Sequence, residues 1–383
     1  MQGSGIDILE DIFSRKLAEI KSQGRWRSLR PLTFESSGGA LLDLTHNDYL
    51  GFRGDPAFQA DALQAASAWP MGAGASRLLG GEHKIYGDVE RIFSEWKGAE
   101  SALYFSSGYA ANEALMSALA HPELTFFSDS LNHASLIDGL RLARISPQQK
   151  VIFQHNDSDD LRSKLAASGS RGKIVVTESL FSMDGDRAPL AKLLTVCEEF
   201  GATLVVDEAH ALGVYGTDGA GFVSGPEHRG IISVNPCGKA MAASGAFVCG
   251  PVWLRNLLIN TGRSFIYSTG ASPWLAAGII PAIDHVRKAK VKRVRLDMLG
   301  HSLRDHLEEL GLSYGESSTH IVPLILGSEE NALRFEGALR DRRIFARAIR
   351  PPTVPVDQCR LRLSLNSNLA NLDPLVLALK ELV

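Results

Sequence analysis

The chain lacks the features that mark several large classes of protein. Its four cysteines (Cys197, Cys237, Cys249 and Cys359) lie far apart and form no CxxC pair, so neither a disulfide framework nor a zinc site is predicted. Positive and negative charges nearly cancel, at 40 against 43, which gives no reason to expect a nucleic acid or an anionic membrane as partner. No apolar run reaches the roughly 20 residues that a membrane helix needs. We therefore expect a soluble globular protein without a bound metal.

The N-terminus lacks the apolar core and cleavage site of a signal peptide. The segment MQGSGIDILEDIFSRKLAEIK carries acidic residues early, and apolar residues recur at helical spacing over residues 6–22. We expect an amphipathic helix there, a short strand at Leu41–Leu44 and a cytoplasmic location. At 383 residues, the chain is long enough for two or three domains.

Apolar runs alternate with helical patterns from about residue 85 onward. The predicted strands of this region are Ala102–Phe105, Thr125–Ser128, Val151–Phe153, Lys173–Thr177, Thr203–Val206 and Gly245–Cys249. Strands and helices that alternate at this spacing predict an α/β fold, with a large, mainly parallel sheet covered by helices on both faces.

The pattern changes after about residue 275. A single long helix is predicted over Pro273–Lys290, followed by a basic amphipathic helix to about Leu310 and by strands near Ile321–Leu326 and Leu361–Leu365. We expect three parts: an N-terminal helix and arm (1–50), a large domain (51–275) and a smaller C-terminal α/β domain (276–383).

Two polar residues at or beyond predicted strands form a chemically informative pair, because ligands of open α/β sheets lie at the carboxyl ends of strands. Asp207 ends the run ATLVV and begins DEAH (207–210). The chain has no GxxxxGK[ST] phosphate loop, so a helicase is discarded, while a helix N-cap remains an alternative for Asp207. Lys239 lies among small residues, where burial would lower its pKa and make it a usable nucleophile. Pyridoxal-phosphate (PLP) enzymes combine a Schiff-base lysine with an acidic partner for the ring nitrogen.

Further polar residues follow other predicted strands. Ser106–Asn112 comes after a strand and opens a helix, whose free N–H groups suit a phosphate. His133 follows the next strand, where an imidazole can stack on a flat cofactor ring, and His210 lies close to Asp207 in the chain. Taken singly, a capped helix and a structural histidine account for these residues as well as a cofactor site does.

Ordered motifs over nearly the whole chain resemble the α-oxoamine synthases, a family of fold-type I PLP enzymes. They are HNDYLGF (46–52), GAGASRLLGG (72–81), KGAESALYFSSGYAAN (97–112), LNHASLIDGLRLA (131–143), VTESLFSMDGDRAPL (176–190), VVDEAHALGVYG (205–216), GKAMAASGAFV (238–248), FIYSTGASP (265–273), IRPPTVP (349–355) and RLRLSL (360–365). The IRPPTVP segment is most similar to members that condense L-alanine with a pimeloyl thioester in biotin biosynthesis. The resemblance implies a PLP-dependent acyltransferase acting on L-alanine and either pimeloyl-CoA or pimeloyl-acyl carrier protein, and a homodimer with its sites at the subunit interface.

The resemblance also implies a role for each matching residue. The catalytic residues would be Lys239 as the Schiff-base lysine, Asp207 at the pyridine nitrogen and His133 stacked over the ring. The cofactor contacts would further include His210 and Ser179 near the phenolic oxygen, Gly108 and Tyr109 at the phosphate, and Thr269, with Ser268, at the neighbouring subunit's phosphate. The substrate contacts would be Arg362 at the amino acid's carboxylate, Asn47 beside the acyl group, and Arg27 as the N-terminal arginine of the family.

Several positions depart from the family pattern near the expected site. Pro236 stands where a phosphate-binding threonine is usual, and proline offers neither a hydroxyl nor an N–H. Ser233 or Asn235 is the expected replacement. His46 stands where a serine is common and Tyr86 where a histidine is usual.

These departures leave alternatives open. The chain is expected to act on L-alanine and a pimeloyl thioester, but a sister activity with glycine or another acyl thioester, or a catalytically silent PLP-fold subunit, also fits the sequence. For Arg362, the alternative is a surface charge on an edge strand.

Overall fold

The computed structural model describes residues 4–27, 29, 42–225, 228 and 230–383. The chain divides into two compact units, Met1–Ala40 and Leu41–Val383. The first contains α1 (Gly5–Ser22), which begins with a capping box: the Asp7 N–H donates to Ser4 Oγ, and the Ser4 N–H donates to Asp7 Oδ2 at 2.7 Å. The predicted N-terminal helix is therefore present.

The second unit contains the remaining elements. Its helices are α2 (Pro56–Ala66), α3 (Lys84–Lys97), α4 (Gly108–Ala118), α5 (Ala134–Leu142), α6 (Ser158–Ala166), α7 (Leu190–Glu199), α8 (Val252–Thr261), α9 (Arg263–Ile266), α10 (Pro273–Ala277), α11 (Ile279–Lys288), α12 (Lys290–Glu309), α13 (Glu329–Asp341) and α14 (Asp373–Leu382). Its strands are β1 (Leu42–Asp43), β2 (Ser101–Phe105), β3 (Leu124–Asp129), β4 (Lys150–Phe153), β5 (Gly172–Glu178), β6 (Ala202–Asp207), β7 (Ile232–Pro236), β8 (Ala246–Gly250), β9 (Ile321–Gly327), β10 (Ile344–Phe345), β11 (Arg347–Ile349) and β12 (Cys359–Ser364). Leu41 of the predicted first strand lies outside the described residues.

A seven-stranded sheet in the order β2-β8-β7-β6-β5-β3-β4 forms the centre of this unit. Strands β7, β6, β5, β3 and β4 run parallel to one another, whereas β8 runs antiparallel to both β7 and β2. The predicted α/β fold with a large, mainly parallel sheet is confirmed. The sequence did not predict β7, because ISVNP is short and ends in two residues that strands disfavour.

Both faces of the sheet are buried, as a parallel sheet requires. Alternate residues of one strand enter different clusters: Phe126 of β3 packs with α4, α5 and α8, while Phe127 packs with α6 and α7. The same alternation separates Val205 from Val206 of β6. The sheet is thus held rigidly between helical layers, and its carboxyl edge is a stable platform for polar side chains.

The predicted long helix over Pro273–Lys290 is wrong, because the chain breaks into α10 and α11 at Gly278. Pro281 supplies the reason, since it has no N–H for the carbonyl four residues earlier and its ring would clash with that carbonyl in a continuous helix. It is tolerated in the first turn of α11, where an N–H has no helical partner.

The C-terminal part carries a second, antiparallel sheet in the order β11-β12-β9, and β1 pairs with β10. Strand β12 is therefore central, with a neighbour on each side. The boundary proposed near residue 275 between a large and a small domain stays a prediction. Within the described parts of the chain, no helix is both long enough and apolar enough to cross a membrane.

Candidate active site

A cavity of about 890 Å³ lies beside the carboxyl ends of β2 and β7. Its lining residues come from five regions of the chain: His46–Asp48 with Arg53, Phe58 with Ala62, Ser106–Gly108, seven residues between Pro236 and Gly245, and Trp274, Leu275 and Gly278. The volume is that of a site for a cofactor or small substrate. The cavity also lies where open α/β sheets bind their ligands.

Lys239 lines this cavity and is hydrogen-bonded to a buried histidine. Its Nζ lies 2.8 Å from His210 Nε2. Burial lowers the pKa of Lys239 to about 8, although the carboxylates of Asp207 and Glu178 act in the opposite direction. Burial and the nearby positive charges of Lys239 and Arg362 hold the pKa of His210 well below its usual range. With a pKa this close to physiological pH, a sizeable fraction of Lys239 is the neutral amine that a nucleophile or base requires.

The contacts continue from His210 to the predicted substrate residues. His210 Nδ1 lies 2.6 Å from the hydroxyl of Tyr49, which is 3.0 Å from Asn47 Oδ1. Arg362 Nη1 donates to the same Asn47 oxygen at 2.9 Å, and its Nη2 donates to the Tyr49 hydroxyl at 3.4 Å. An unbroken set of polar contacts therefore joins Lys239 to Arg362.

Arg362 is 8% exposed and lies on the central strand β12, which argues against a surface charge on an edge strand. Its Nε donates to the Ser182 carbonyl, and its Nη1 also donates to Ser364 Oγ at 2.7 Å. A buried guanidinium fixed on several sides offers rigid donors for a carboxylate.

Asp207 ends β6 and is buried, at 4% exposure. Its Oδ2 accepts from Asn112 Nδ2 at 2.7 Å, and its Oδ1 accepts from the Ala209 N–H at 2.9 Å. Asn112 also donates to Ser135 Oγ, which lies 2.8 Å from His133 Nδ1. Asp207 is thus held in one orientation by a network that reaches His133. Residues 209–214, which follow Asp207, form turns and not a helix, so the helix N-cap alternative does not apply to it.

His133 and Ser179 lie at neighbouring strand ends. His133 precedes α5 and caps it, since the Ser135 N–H donates to its Nδ1. The His133 N–H donates to Glu178 Oε1 at 2.6 Å. Burial and the neighbouring Asp207 raise the pKa of Glu178 well above its usual range. Ser179 is fully buried, and its N–H donates to the Asp207 carbonyl at 2.9 Å, so it lies directly beside the end of β6.

The start of α4 forms one wall of the cavity at Ser106, Ser107 and Gly108. Ser107 caps the helix by accepting from the Ala110 N–H. A side chain at Gly108 would place its Cβ 2.7 Å from the Pro236 ring, so only glycine fits there without a shift. The expected replacements for the family threonine do not line this cavity. Instead, Asn235 is fully buried and donates to Ser233 Oγ at 2.9 Å.

Two predicted site residues of the second unit, Tyr109 and Thr269, are not among the residues that line this cavity. Tyr109 belongs to the first turn of α4, and its hydroxyl donates to Asp138 Oδ2. Thr269 is exposed and does not line the cavity of its own chain. Arg27 is exposed in the first unit.

Sequence reasoning assigned no role to Tyr49, Asn112 and Glu178, although each lies inside a motif that carried the resemblance. The resemblance implied roles only for neighbouring residues in these motifs. A signal was nevertheless present in the sequence, since each is a polar residue beside an apolar run. Their hydrogen-bonding partners lie far away in the chain, so the sequence did not indicate these contacts.

The residues in and beside this cavity fit PLP. Lys239 supplies a partly buried amine, and Gly108 marks a helix start whose free N–H groups favour a phosphate. The buried carboxylate of Asp207 lies close enough for its charge to act on Lys239. The amine, the carboxylate and the helix N–H groups match the three polar parts of this cofactor, which are its aldehyde, its ring nitrogen and its phosphate.

Comparisons with known proteins agree with the site. The sequence model of the aminotransferase class I and II family matches residues 40–379. The chain is 40% identical over 365 residues to an 8-amino-7-oxononanoate synthase of Anaeromyxobacter dehalogenans, covering 93% of this chain and 91% of that protein.

Two solved structures agree with the fold. The serine palmitoyltransferase of S. paucimobilis, solved with a bound PLP–myriocin aldimine, has a TM-score of 0.86 at 26% identity, covering 97% of this chain and 96% of that one. An 8-amino-7-oxononanoate synthase from Francisella tularensis has a TM-score of 0.75 at 26% identity, covering 88% and 96%. The chain therefore belongs to the aminotransferase class I and II family and, within it, to the α-oxoamine synthases, which are PLP-dependent acyltransferases.

Proposed function

We propose that this chain condenses L-alanine with a pimeloyl thioester, giving 8-amino-7-oxononanoate, CO2 and the free thiol carrier, as a step of biotin biosynthesis. The observation that carries the proposal is the line of contacts from Lys239 through His210, Tyr49 and Asn47 to the buried Arg362. It sets a base and a carboxylate-binding group at opposite ends of one small site. The 40% identical relative with the matching name favours alanine and the pimeloyl group.

Each end of the site has a defined task in this reaction. Arg362 binds the carboxylate of alanine with parallel hydrogen bonds, with Asn47 beside it, and so orients the Cα–H bond. Lys239 would hold the cofactor through its amine, and the same amine, when free, would take the Cα proton of the substrate. When bound, PLP supplies an electron sink for the Cα electron pair, and Asp207 keeps its ring nitrogen protonated.

The bond changes balance without another reactant. The Cα electron pair attacks the thioester carbonyl, the C–S bond breaks, and the thiolate leaves. The carboxylate then departs as CO2, and a proton returns to the same carbon. His133 would cover the face of the PLP ring, His210 and Ser179 would contact its phenolic oxygen, and the start of α4 at Gly108 and Tyr109 would hold its phosphate. In place of the family threonine, Ser106, Ser107 and Ser244 line the same cavity and can supply hydroxyl groups.

The proposal includes a cytoplasmic homodimer. Thr269, with Ser268, is exposed in the single chain and would reach the phosphate of the neighbouring subunit. Arg27 is proposed as a further substrate contact. The thiol carrier is either CoA or an acyl carrier protein.

The test is release of free thiol from pimeloyl-CoA with L-alanine, glycine and L-serine compared side by side. Release with alanine alone supports the proposal. Release only with another amino acid moves the chain to a sister activity. If no amino acid gives release, the next substrate is pimeloyl-acyl carrier protein, and absence of turnover there contradicts the proposal. A yellow protein that bleaches with borohydride would separate an active enzyme from a silent subunit.

A further inference from the structure

One part of the active-site cavity is lined by residues that have no task in the chemistry proposed above. These residues are Arg53, in the turn before α2, and Phe58 and Ala62 of α2 itself, and together they form the α2 side of the cavity. Asn47 lines the same cavity earlier in this segment and bonds to Arg362, so it marks the end where the amino acid reacts. The α2 side is therefore available for another part of the substrate.

Arg53 supplies the positive charge of this side. Among the described residues, Lys239 and Arg53 are the only lysine or arginine side chains that line the cavity, and the amine of Lys239 serves the cofactor and the proton transfer. His46 also lines the cavity, but it is neutral near pH 7, because burial lowers its pKa more than Asp43 and Asp48 raise it. A second anionic group in the cavity thus has Arg53 as its cationic partner within the described lining.

The turn that carries Arg53 is held in place by the carboxylate of Asp48. Asp48 Oδ1 accepts from the Phe52 N–H at 2.9 Å, and its Oδ2 accepts from the Arg53 N–H at 3.1 Å. These two donors offset the negative charge of Asp48, so it opposes an anion at Arg53 less than an unpaired carboxylate would. On the other side of the turn, Lys292 of α12 lies 5.0 Å from the centre of the Phe52 ring. The backbone of Arg53 is therefore fixed, although its side chain is exposed.

Phe58 and Ala62 give the α2 side an apolar wall. They are four residues apart in one helix, so they lie on the same face of it. The Phe58 ring is held by Phe52, with which it stacks at 5.4 Å between centroids, and by the edge-on ring of His285, also at 5.4 Å. Gly278, at the start of α11, continues the lining beyond Ala62. A wall of this kind favours methylene groups over polar ones.

An apolar wall beside a guanidinium fits an acyl group that carries a carboxylate at its far end. A fatty acyl group would use the wall and leave the charge without a ligand, whereas a short polar group would use the charge and leave the wall. The acyl group of a pimeloyl thioester has both parts, a methylene chain and a terminal carboxylate.

We propose that Arg53 is a specificity-determining residue that binds the terminal carboxylate of the acyl thioester, with the methylene chain packed against Phe58 and Ala62. The inference rests on the proposed function for the thioester, and it adds the contact that separates a dicarboxylic acyl donor from a fatty acyl donor of the same length. Because Arg53 takes no part in the bond changes, its loss should alter the choice of acyl donor and leave the binding of L-alanine unchanged.

The test compares pimeloyl-CoA with heptanoyl-CoA, which has the same number of acyl carbons and no terminal carboxylate. Thiol release at saturating L-alanine gives kcat/KM for both donors in the full-length holoenzyme and in its Arg53→Gln variant. Arg53→Gln should lower kcat/KM for pimeloyl-CoA by about 5- to 10-fold, a moderate loss because water screens part of an exposed charge. The value for heptanoyl-CoA should stay within about twofold.

Two further variants and the ionic strength make the comparison specific. Arg53→Lys keeps the charge without the paired donors and should recover part of the preference for pimeloyl-CoA. Arg171→Gln, on an exposed side chain outside the cavity, is the matched control and should leave both donors within about twofold. Added salt should reduce the preference of the unsubstituted enzyme and leave that of Arg53→Gln unchanged.

A binding measurement tests Arg53 without turnover. Calorimetric titration of pimelate into the holoenzyme, with L-alanine saturating so that Arg362 is occupied, gives the affinity for a free dicarboxylate. Arg53→Gln should weaken the binding of pimelate by about 5- to 10-fold and leave the binding of heptanoate within about twofold.

Equal losses for pimeloyl-CoA and heptanoyl-CoA in Arg53→Gln would overturn the inference, because Arg53 would then act on the CoA phosphates. A preference that survives in Arg53→Gln and is lost in Arg27→Gln would overturn it as well, by placing the carboxylate at the N-terminal arginine. Release from fatty acyl-CoAs alone would contradict both this inference and the proposed substrate.

Failure of the proposed function gives a different pattern from failure of the inference. If the unsubstituted enzyme uses another dicarboxylic acyl-CoA, the pimeloyl assignment fails, and the same comparison with that donor and its fatty acyl counterpart still decides the role of Arg53. If no acyl thioester is turned over, the proposed function fails, and the titrations with pimelate and heptanoate decide it.

Discussion

Lys239 combines two properties that a single exposed lysine does not have. Burial lowers its pKa to about 8, and its Nζ is aimed at His210 Nε2. The same burial would be costly for a permanently charged amine. The side chain is therefore suited to alternate between a bound and a free amine rather than to stabilise the fold.

Replacement of Lys239 by alanine should abolish thiol release and leave the fold intact. No other amine lines the cavity within the described residues, so none can replace the base. Thiol release measures the loss, and circular dichroism with thermal unfolding measures the fold. Turnover near the normal rate in a folded Lys239→Ala protein would contradict the mechanism.

Arg362→Lys should raise KM for L-alanine by about 10- to 100-fold, because a lysine cannot make two parallel hydrogen bonds to a carboxylate. KM for the acyl thioester should change much less. Steady-state kinetics with each substrate varied in turn gives both values, and Arg171→Lys, on an exposed side chain, is the control. Equal changes in both KM values would show that Arg362 acts on the general shape of the site.

At the scale of elements, His155 bridges two loops that carry site residues, one after β3 and one after β5. Its ring nitrogens lie 2.9 Å from Asp129 Oδ1, at the end of β3, and 2.8 Å from Asp186 Oδ2. Asp129 belongs to the loop that leads to His133. Asp186 belongs to the turn that carries Ser182, whose carbonyl accepts from Arg362. The protonated ring thus joins the cofactor side and the carboxylate side of the site.

His155→Gln should destabilise the protein in a pH-dependent way. Burial lowers the pKa of His155, but hydrogen bonds to Asp129 and Asp186 outweigh it and raise the pKa to about 10. A raised pKa means that the folded state binds the proton more tightly. The stabilisation is therefore complete below the unfolded value of about 6.5 and is lost as pH rises through about 10.

We expect a loss of about 3 kcal/mol at pH 6, less than the full pKa shift would give because a quarter of the side chain is exposed. Urea unfolding of both proteins at pH 6 and pH 10 measures the difference. The exposed His301→Gln serves as the control. A difference that stays constant from pH 6 to pH 10 would rule out the charge as its source.

The start of α4 provides the second prediction at this scale. Gly108→Ala should weaken PLP binding by about 10-fold, because its Cβ would meet the rigid ring of Pro236 and shift the helix start. Adding Pro236→Ala should recover part of the loss. Gly87→Ala is the matched control, since it lies in α3 with open space around it. Absorbance titration with PLP measures all four proteins, and unchanged affinity in Gly108→Ala would place the phosphate elsewhere.

At the scale of the whole molecule, the proposed dimer makes a prediction about shared sites. If Thr269 serves the neighbour's phosphate, a mixed dimer of Lys239→Ala and Thr269→Asp subunits has one site with both defects and one intact site. Random exchange of these two inactive proteins should then restore about a quarter of normal activity.

Thiol release after unfolding and refolding the mixture measures the recovery. Each variant refolded alone is the control. No recovery in a mixture that sedimentation shows to be dimeric would mean that Thr269 acts within its own subunit, or on no site.

Several features could be predicted from sequence because they are local. The alternation of apolar runs with helical patterns reflects periodicity within short segments, and it gave the parallel sheet and the order of its strands and helices along the chain. Strand ends carrying Asp207 and Glu178–Ser179 follow from the same patterns. The prediction missed β7, where the local pattern was ambiguous. It also joined α10 and α11 into one helix, because the helical spacing of apolar residues continues past Pro281.

The amino-acid sequence by itself determined the family, the fold class and the identity of Lys239, Asp207 and Arg362 as candidates, because these depend on residue types and short-range spacing. Only the tertiary structure decided which side chains meet. Tyr49 and His210 are 161 positions apart, and Asn47 and Arg362 are 315 apart. Contacts over such separations are set by how the sheets and helical layers pack. The periodicity of one segment carries no information about the distance from its side chains to those of a distant segment.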